Sequence, residues 1–376
     1  MRLVVFGLTV SSSWGNGHAT LWRGLIRALA ERGVHVTFFE RDQPFYAPHR
    51  DLHDLPGGEL VLFTEWDAAR AGRALAGADA AIVTSYCADA EAACRAVALS
   101  RVPSVFYDMD TPVTLARLAA GETVDYLPAE GLGAFDLVLS YTGGPALEAL
   151  ERRLGARRAA PLYGHADPTV HHRTPADARF GCDLSYIGTY ASDRQAAVDA
   201  LFLEPARRRP GIKAVLAGSG YPQDFPWTDN IWFVKHLPPP EHAAFYSSSA
   251  LTVNTTRADM AAMGWCPSGR LFEAAACGCP VLSDRWDGLD AFFTAGEEVL
   301  LASTPEEATA ALDLGPARLR QIGEAARERF MREHTSAHRA DELLAHLTGL
   351  RAPEASLQRS FESQDARLQG ATRMRA

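Results

Sequence analysis

Cysteine pairs of the C-x-x-C type are absent, and the six cysteines, Cys87, Cys94, Cys182, Cys266, Cys277 and Cys279, have no histidines at matching spacing. Neither a zinc site nor a disulfide framework is indicated. The close pair Cys277 and Cys279 reads as small residues packed at a helix end. No apolar run approaches the about 20 residues that span a bilayer. The amino terminus, one arginine followed by LVVFGLTV, turns polar too soon to read as a secretory signal. A soluble, cytoplasmic protein without a membrane span is expected. Clustered positive charge is lacking as well: the formal net charge is -9 and basic runs such as EPARRRPG are short. That argues against nucleic acid or an anionic membrane as a partner.

What is present points to two domains. A chain of 376 residues with 47% hydrophobic residues exceeds what a single core organises. The first half alternates short apolar runs (RLVVFG, VHVTFF, AAIVTSY, VPSVFYD, FDLVLSY) with amphipathic stretches, the signature of a parallel sheet covered by helices. Leu21, Leu25 and Leu29 share one helical face, and Gly33 marks that helix's end. From 160 to 176 the text becomes APLYGHADPTVHHRTPA, rich in proline and histidine and without periodicity. The second half repeats the α/β plan through CDLSYIGTY, IKAVLAGSG, ALTVNTT and SGRLFEAAACGCPVLSD. We expect an α/β fold of two Rossmann-like domains facing across a cleft, 1–165 and 166–350, and a disordered tail at 351–376, where apolar density drops.

In open parallel sheets, ligands lie at the carboxyl ends of the strands, where loops run into helix amino termini. The loop SSSWGNGHAT after the first strand occupies such a place. Gly15 and Gly17 would let a ligand approach the backbone, and Asn16 and His18 could add side-chain hydrogen bonds beside Trp14. The plainer reading is a tight turn whose Ser or Thr residues cap the helix. Gly15-x-Gly17 followed by Glu40 at the end of the next strand also suggests a dinucleotide fingerprint, and hence an NAD(P)-dependent oxidoreductase. Thr20 stands where the third glycine belongs. Asp108 and Asp110 end another strand, followed by Thr111 and Pro112. They could grip sugar hydroxyls or share a cation, and we favour a polar cleft role without metal. Alternatively, an aspartate or threonine caps the helix before Pro112.

Residues 253–290 are the most telling. Arg270 and Glu273, three apart, can project from one helix face, with Ser268 as the cap. A cation there could pair with a diphosphate, and a carboxylate could accept both hydroxyls of a ribose. The alternative is a surface ion pair worth a few tenths of a kcal/mol.

RLFEAAACGCPVLSD resembles the donor-binding segment of retaining GT-B glycosyltransferases. With LTVNTTRADM, WDGLDAFF and GEEVLL, and with GLTVSSSWGNGHATLWRGLIRAL and YDMDTPVTL, residues 3 to 348 are similar to the CgeB-like (spore-maturation-type) glycosyltransferase family. The resemblance implies a GT-B fold and transfer from a nucleoside diphosphate sugar, UDP-type favoured, with no cofactor required. The acceptor, whether saccharide, small molecule or protein, stays open, as does oligomeric state. Glu273 would hold the ribose, Gly218, Ser219 and Gly220 would turn near the nucleotide, and Arg270 would face the diphosphate. Gly188, His236 and Asn254 would lie on the same donor side. Asp284, Trp286 and Gly288 would shape the loop near the donor sugar. Trp14, Gly15, Asn16, Gly17, His18, Asp108, Asp110 and Thr111 would face acceptor and sugar, with His18, Asp110 and Arg270 catalytic. Retaining relatives commonly carry a glutamate eight residues before the ribose-binding one, where this chain has Trp265. Stereochemical outcome therefore stays open, and a non-catalytic nucleotide-sugar binder is a further alternative.

Overall fold

The apolar runs of the first half pair into one all-parallel sheet of seven strands. They are β1 (Arg2–Gly7), β2 (His35–Arg41), β3 (Gly58–Phe63), β4 (Ala80–Thr84), β5 (Ser104–Asp108), β6 (Leu137–Ser140) and β7 (Ala159–Pro161), in the spatial order 3-2-1-4-5-6-7. Strand β1 sits at the centre, with Leu3 beside Val36 of β2 on one side and Ala80 of β4 on the other. The second sheet holds β8 (Leu184–Ile187), β9 (Ala214–Ala217), β10 (Ile231–Val234), β11 (Thr252–Asn254), β12 (Val281–Ser283) and β13 (Leu300–Leu301), again all parallel, in the order 10-9-8-11-12-13. Both sheets have the doubly wound order, so each has a switch point, between β1 and β4 and between β8 and β11. This computed structural model describes residues 1–350, and the expected tail at 351–376 lies outside the described residues.

The strands are apolar on both faces because helices cover both faces. Val5, Val36, Phe38, Ile82 and Val105 are buried under the helix His18–Glu31, while Val4, Phe6, Ala81, Val83 and Phe106 are buried on the other side. The helix period places Trp22, Leu25, Ile26 and Leu29 inward, and Leu21 packs only partly buried at their margin. The chain then crosses back. The last helix, Ser336–Leu350, sends Ala340, Leu343 and Leu347 into the core of the first sheet. Ser336 meets His165 at 2.9 Å, and Gly24 admits that seryl group: a Cβ at Gly24 would lie 2.6 Å from its oxygen.

A second junction clasps Trp265. Its carbonyl accepts from Gly143 N at 3.0 Å and its N–H donates to Asp287 O at 2.6 Å, which holds Trp265 at φ +52. The indole lies between Gly144 and Gly288, where an added Cβ would come within 2.4 Å of ring carbons on either side. Gly144 also has φ +54, which side chains rarely adopt. We expect Gly144→Ala to destabilise the protein by about 1–3 kcal/mol, read as a lower denaturant midpoint. An unchanged midpoint would mean that this clasp does not hold the lobes.

Among the described residues, no helix is long and apolar enough to cross a membrane.

Candidate functional site

The carboxyl ends of the two sheets face each other across a cleft of about 640 Å³, inside the range of small-molecule sites. Loops after β1, β4 and β5 form one wall, and loops after β8, β9 and β11, with the helix Gly269–Ala276, form the other. A Cβ on Gly15, which has φ +67, would lie 4.0 Å from Ser219 Oγ of the opposite wall. Trp14 stacks on His49 at 4.0 Å between ring centres and meets His236 across the gap at 4.6 Å.

The loop after β1 is held from beneath. Glu40 is 1% exposed, and its carboxylate accepts from Thr9 Oγ1, Val10 N, Ser11 N and Ser11 Oγ at 2.5–2.9 Å. A carboxylate so occupied cannot take a ribose, so Glu40 does not play the part the dinucleotide reading gave it. Asn16 is likewise structural: its Oδ1 accepts from Ala19 N at 3.1 Å and its Nδ2 donates to Ser12 O at 3.2 Å. Through Ala19 it ties the loop to the first helical turn, where Ser or Thr was expected, and it still lines the cleft with Gly15, Gly17 and His18.

His18 Nε2 lies 3.9 Å from Asp110 Oδ2, and burial pushes the imidazole below its ordinary value although Asp110 opposes the shift. The two aspartates of the D-x-D triplet part company. Asp110 faces the cleft. Asp108 is fully buried, accepts from Asp110 N at 3.0 Å, and is pushed up to about 6 by burial. Thr111 is also buried, its hydroxyl 2.8 Å from Ser140 Oγ. Asp108 and Thr111 therefore support the wall and do not touch the cleft. Residues two apart share a face within a strand, but the strand stops at Asp108, and Asp110 lies beyond it at the helix cap, where that periodicity no longer holds.

On the opposite wall Arg270 and Glu273 both reach the cleft, as their spacing on the helix Gly269–Ala276 predicts. They do not pair with each other. Arg270 donates to Ile187 O at 2.6 Å, to Asn254 Oδ1 at 2.8 Å and to Thr255 O at 3.3 Å, with its guanidinium 5.3 Å from the Tyr186 ring centre. All three acceptors are uncharged, so the cation keeps its charge for a ligand. Asn254 is buried, and its role is to aim Arg270: Oδ1 also accepts from Ser268 Oγ at 2.6 Å. Ser268 stands at the cap position, but its hydroxyl goes to Asn254 and caps nothing.

Gly188, Gly218, Ser219 and His236 line the cleft beside Arg270, and Gly220 sits just behind, its Cβ position 3.7 Å from Tyr190. Asp284, Trp286 and Gly288 are set back from the cleft. Asp284 accepts from Thr256 N at 3.0 Å and Thr256 Oγ1 at 2.9 Å, which fixes a segment that does line it. Trp286 is buried among Leu289, Phe292 and Phe293, and Gly288 makes room for Trp265.

Sequence reasoning missed several cleft residues. Arg194 lines the cleft with a pKa lowered by burial, and no carboxylate lies within 4 Å of it among the described residues. Tyr86 lines it at φ +63, a conformation unusual for a bulky residue. His242 lines it too, next to Glu273. A strand-end position could have flagged Tyr86, two residues past β4, whereas Arg194 lies seven residues beyond β8 and carries no such signal.

A glycosyl transferase-like family model matches residues 194–345. No curated protein sequence matches the chain. Among solved structures, sucrose-phosphate synthase from Thermosynechococcus elongatus superposes with a TM-score of 0.67 at 17% identity, covering 94% of this chain and 100% of that one. HepE of Anabaena, solved with UDP and glucose, gives 0.66 at 15% identity over 93% of this chain and 100% of its own. An alpha-glucosyltransferase solved with UDP-glucose and DNA gives 0.66 at 12% identity over 93% and 99%. At such identities the likeness concerns the fold. Residues 194–345 thus match a glycosyl transferase-like family, and the chain as a whole has the two-lobed GT-B fold.

Proposed function

We propose that the chain moves a glycosyl group from a nucleoside diphosphate sugar, UDP-type, to an acceptor, and that it belongs with the CgeB-like glycosyltransferases. One observation carries this reading: Arg270 and Glu273 open onto the same cleft one helical turn apart, unpaired with each other. The lobes divide near 165, with the last helix returning to the first. The solved relatives that bind UDP or UDP-glucose support the donor class.

Glu273 accepts the two ribose hydroxyls. Arg270 and Arg194 face the diphosphate, where negative charge grows as the glycosidic bond breaks, and preorganised donors there lower the barrier. Asp110 and His18 face the sugar and acceptor across the gap. The lowered pKa keeps His18 neutral at pH 7, the form that takes a proton from an acceptor hydroxyl.

If His18 is that base, activity is full above its pKa and falls as it protonates. The acid limb of kcat/KM then lies below the ordinary imidazole value of 6.5 and disappears in His18→Gln. Asp108, at about 6, titrates nearby, so a limb that survives His18→Gln and vanishes in Asp108→Asn would assign the proton to Asp108 instead.

The reading as a whole is tested by thermal shift against UDP-, GDP- and ADP-sugars and NAD(P), followed by assay of slow diphosphate release. Stabilisation by a nucleotide sugar with release of its diphosphate is expected. Stabilisation by NAD(P) alone would overturn it, and binding without any turnover would leave a sugar-nucleotide binder.

A further inference from the structure

Behind the Arg270 and Glu273 pair, three potential metal ligands converge from distant parts of the chain. His171 Nε2 is 3.3 Å from His242 Nδ1 and 3.9 Å from Glu273 Oε1, and His242 Nδ1 is 4.0 Å from Glu273 Oε2. Ligands of a tetrahedral Zn2+ with bonds near 2.1 Å stand about 3.4 Å apart, so the two imidazoles already have that spacing, while Glu273 offers a different oxygen to each ring and must move closer to coordinate. His242 is backed as metal-bound histidines usually are: its other ring nitrogen lies 3.1 Å from Leu237 O, which fixes the tautomer that turns the Nδ1 lone pair toward the cluster. His171 is fully buried, and His242 and Glu273 keep 12% and 15% of their side chains exposed, on the cleft side.

The cluster is poorly satisfied as a hydrogen-bond network. Its strongest internal contact is the 3.3 Å one between the rings, and Glu273 receives only a 3.4 Å contact from Tyr246 OH. Buried polar groups left this loosely paired call for an explanation, and a shared cation supplies one. Two imidazoles and one carboxylate suit zinc and its neighbours over calcium or magnesium.

We infer that His171, His242 and Glu273 form a site for a divalent d-block cation of the zinc class, and that occupancy withdraws Glu273 from the donor. The second half of this inference rests on the ribose role proposed for Glu273. Zn2+ and the nucleoside diphosphate then exclude each other, and the metal acts as an inhibitor.

The test uses the full chain, stripped with a chelator and titrated with Co2+ while the visible d–d bands are followed. One equivalent should bind with the intense bands of a four-coordinate ion. His171→Gln and His242→Gln should each weaken binding by more than about tenfold. Two variants on different elements guard against one of them misfolding. Absence of a four-coordinate spectrum in the unmodified chain, or undiminished binding by both variants, would overturn the site. UDP should bleach the bands, and bands that persist at saturating UDP would overturn the exclusion. If UDP fails to bind the metal-free chain at all, the donor reading falls while the cobalt result stands on its own.

Discussion

Replacing Arg270 by alanine lowers kcat by about two to three orders of magnitude, the effect of removing one preorganised donor from a developing negative charge. The size follows from the guanidinium's surroundings. Ile187 O, Asn254 Oδ1 and Thr255 O hold it in one orientation without neutralising it, and Tyr186 lies under its face. The charge is therefore fixed before the substrate arrives. Because Arg270→Ala also strips three oxygens of a donor, folding stability should fall by about 1–3 kcal/mol, so rates are compared per folded molecule. Arg270→Lys keeps the charge but cannot donate to three acceptors in the guanidinium's fixed fork, so little rescue is expected. A full rate in folded Arg270→Ala would take Arg270 out of the reaction.

Glu273→Ala should raise the dissociation constant for UDP by about 10- to 100-fold or more, since two hydrogen bonds to a charged acceptor each contribute about 1.5–3 kcal/mol, offset by partial relaxation. Isothermal titration checks it. The loss should appear in donor affinity and leave the acceptor's KM nearly untouched, because Glu273 sits on the carboxyl-side wall while His18 and Asp110 line the other. Glu273→Gln, which keeps one acceptor oxygen, should fall between.

Much of this was legible before any coordinates. Strands such as RLVVFG and FDLVLSY announce themselves because both faces are covered, so their apolar runs are unbroken. Arg270 and Glu273 could be placed together because a helix fixes what lies three residues apart. The edge strand β10 was not read: Trp232 and Phe233 are exposed there, so its pattern lacks a buried face. The inward turn of Asp108, the four hydrogen bonds that occupy Glu40 and the return of the last helix to the first sheet depend on partners far along the chain. His171 and His242, 71 residues apart, meet only because the linker after β7 folds against the helix Pro239–Ser247. Trp265 read as a missing glutamate; in the fold it is the wedge between Gly144 and Gly288, a role no local pattern encodes.

The central claim is that Glu273 holds the ribose of the donor. It is tested most directly by titrating UDP and 2′,3′-dideoxy-UDP into the unmodified chain and into Glu273→Ala. The account predicts that loss of the two hydroxyls weakens binding to the unmodified chain by about the same factor as the substitution does, and has little further effect on the variant. Equal affinity of the unmodified chain for both nucleotides would contradict it.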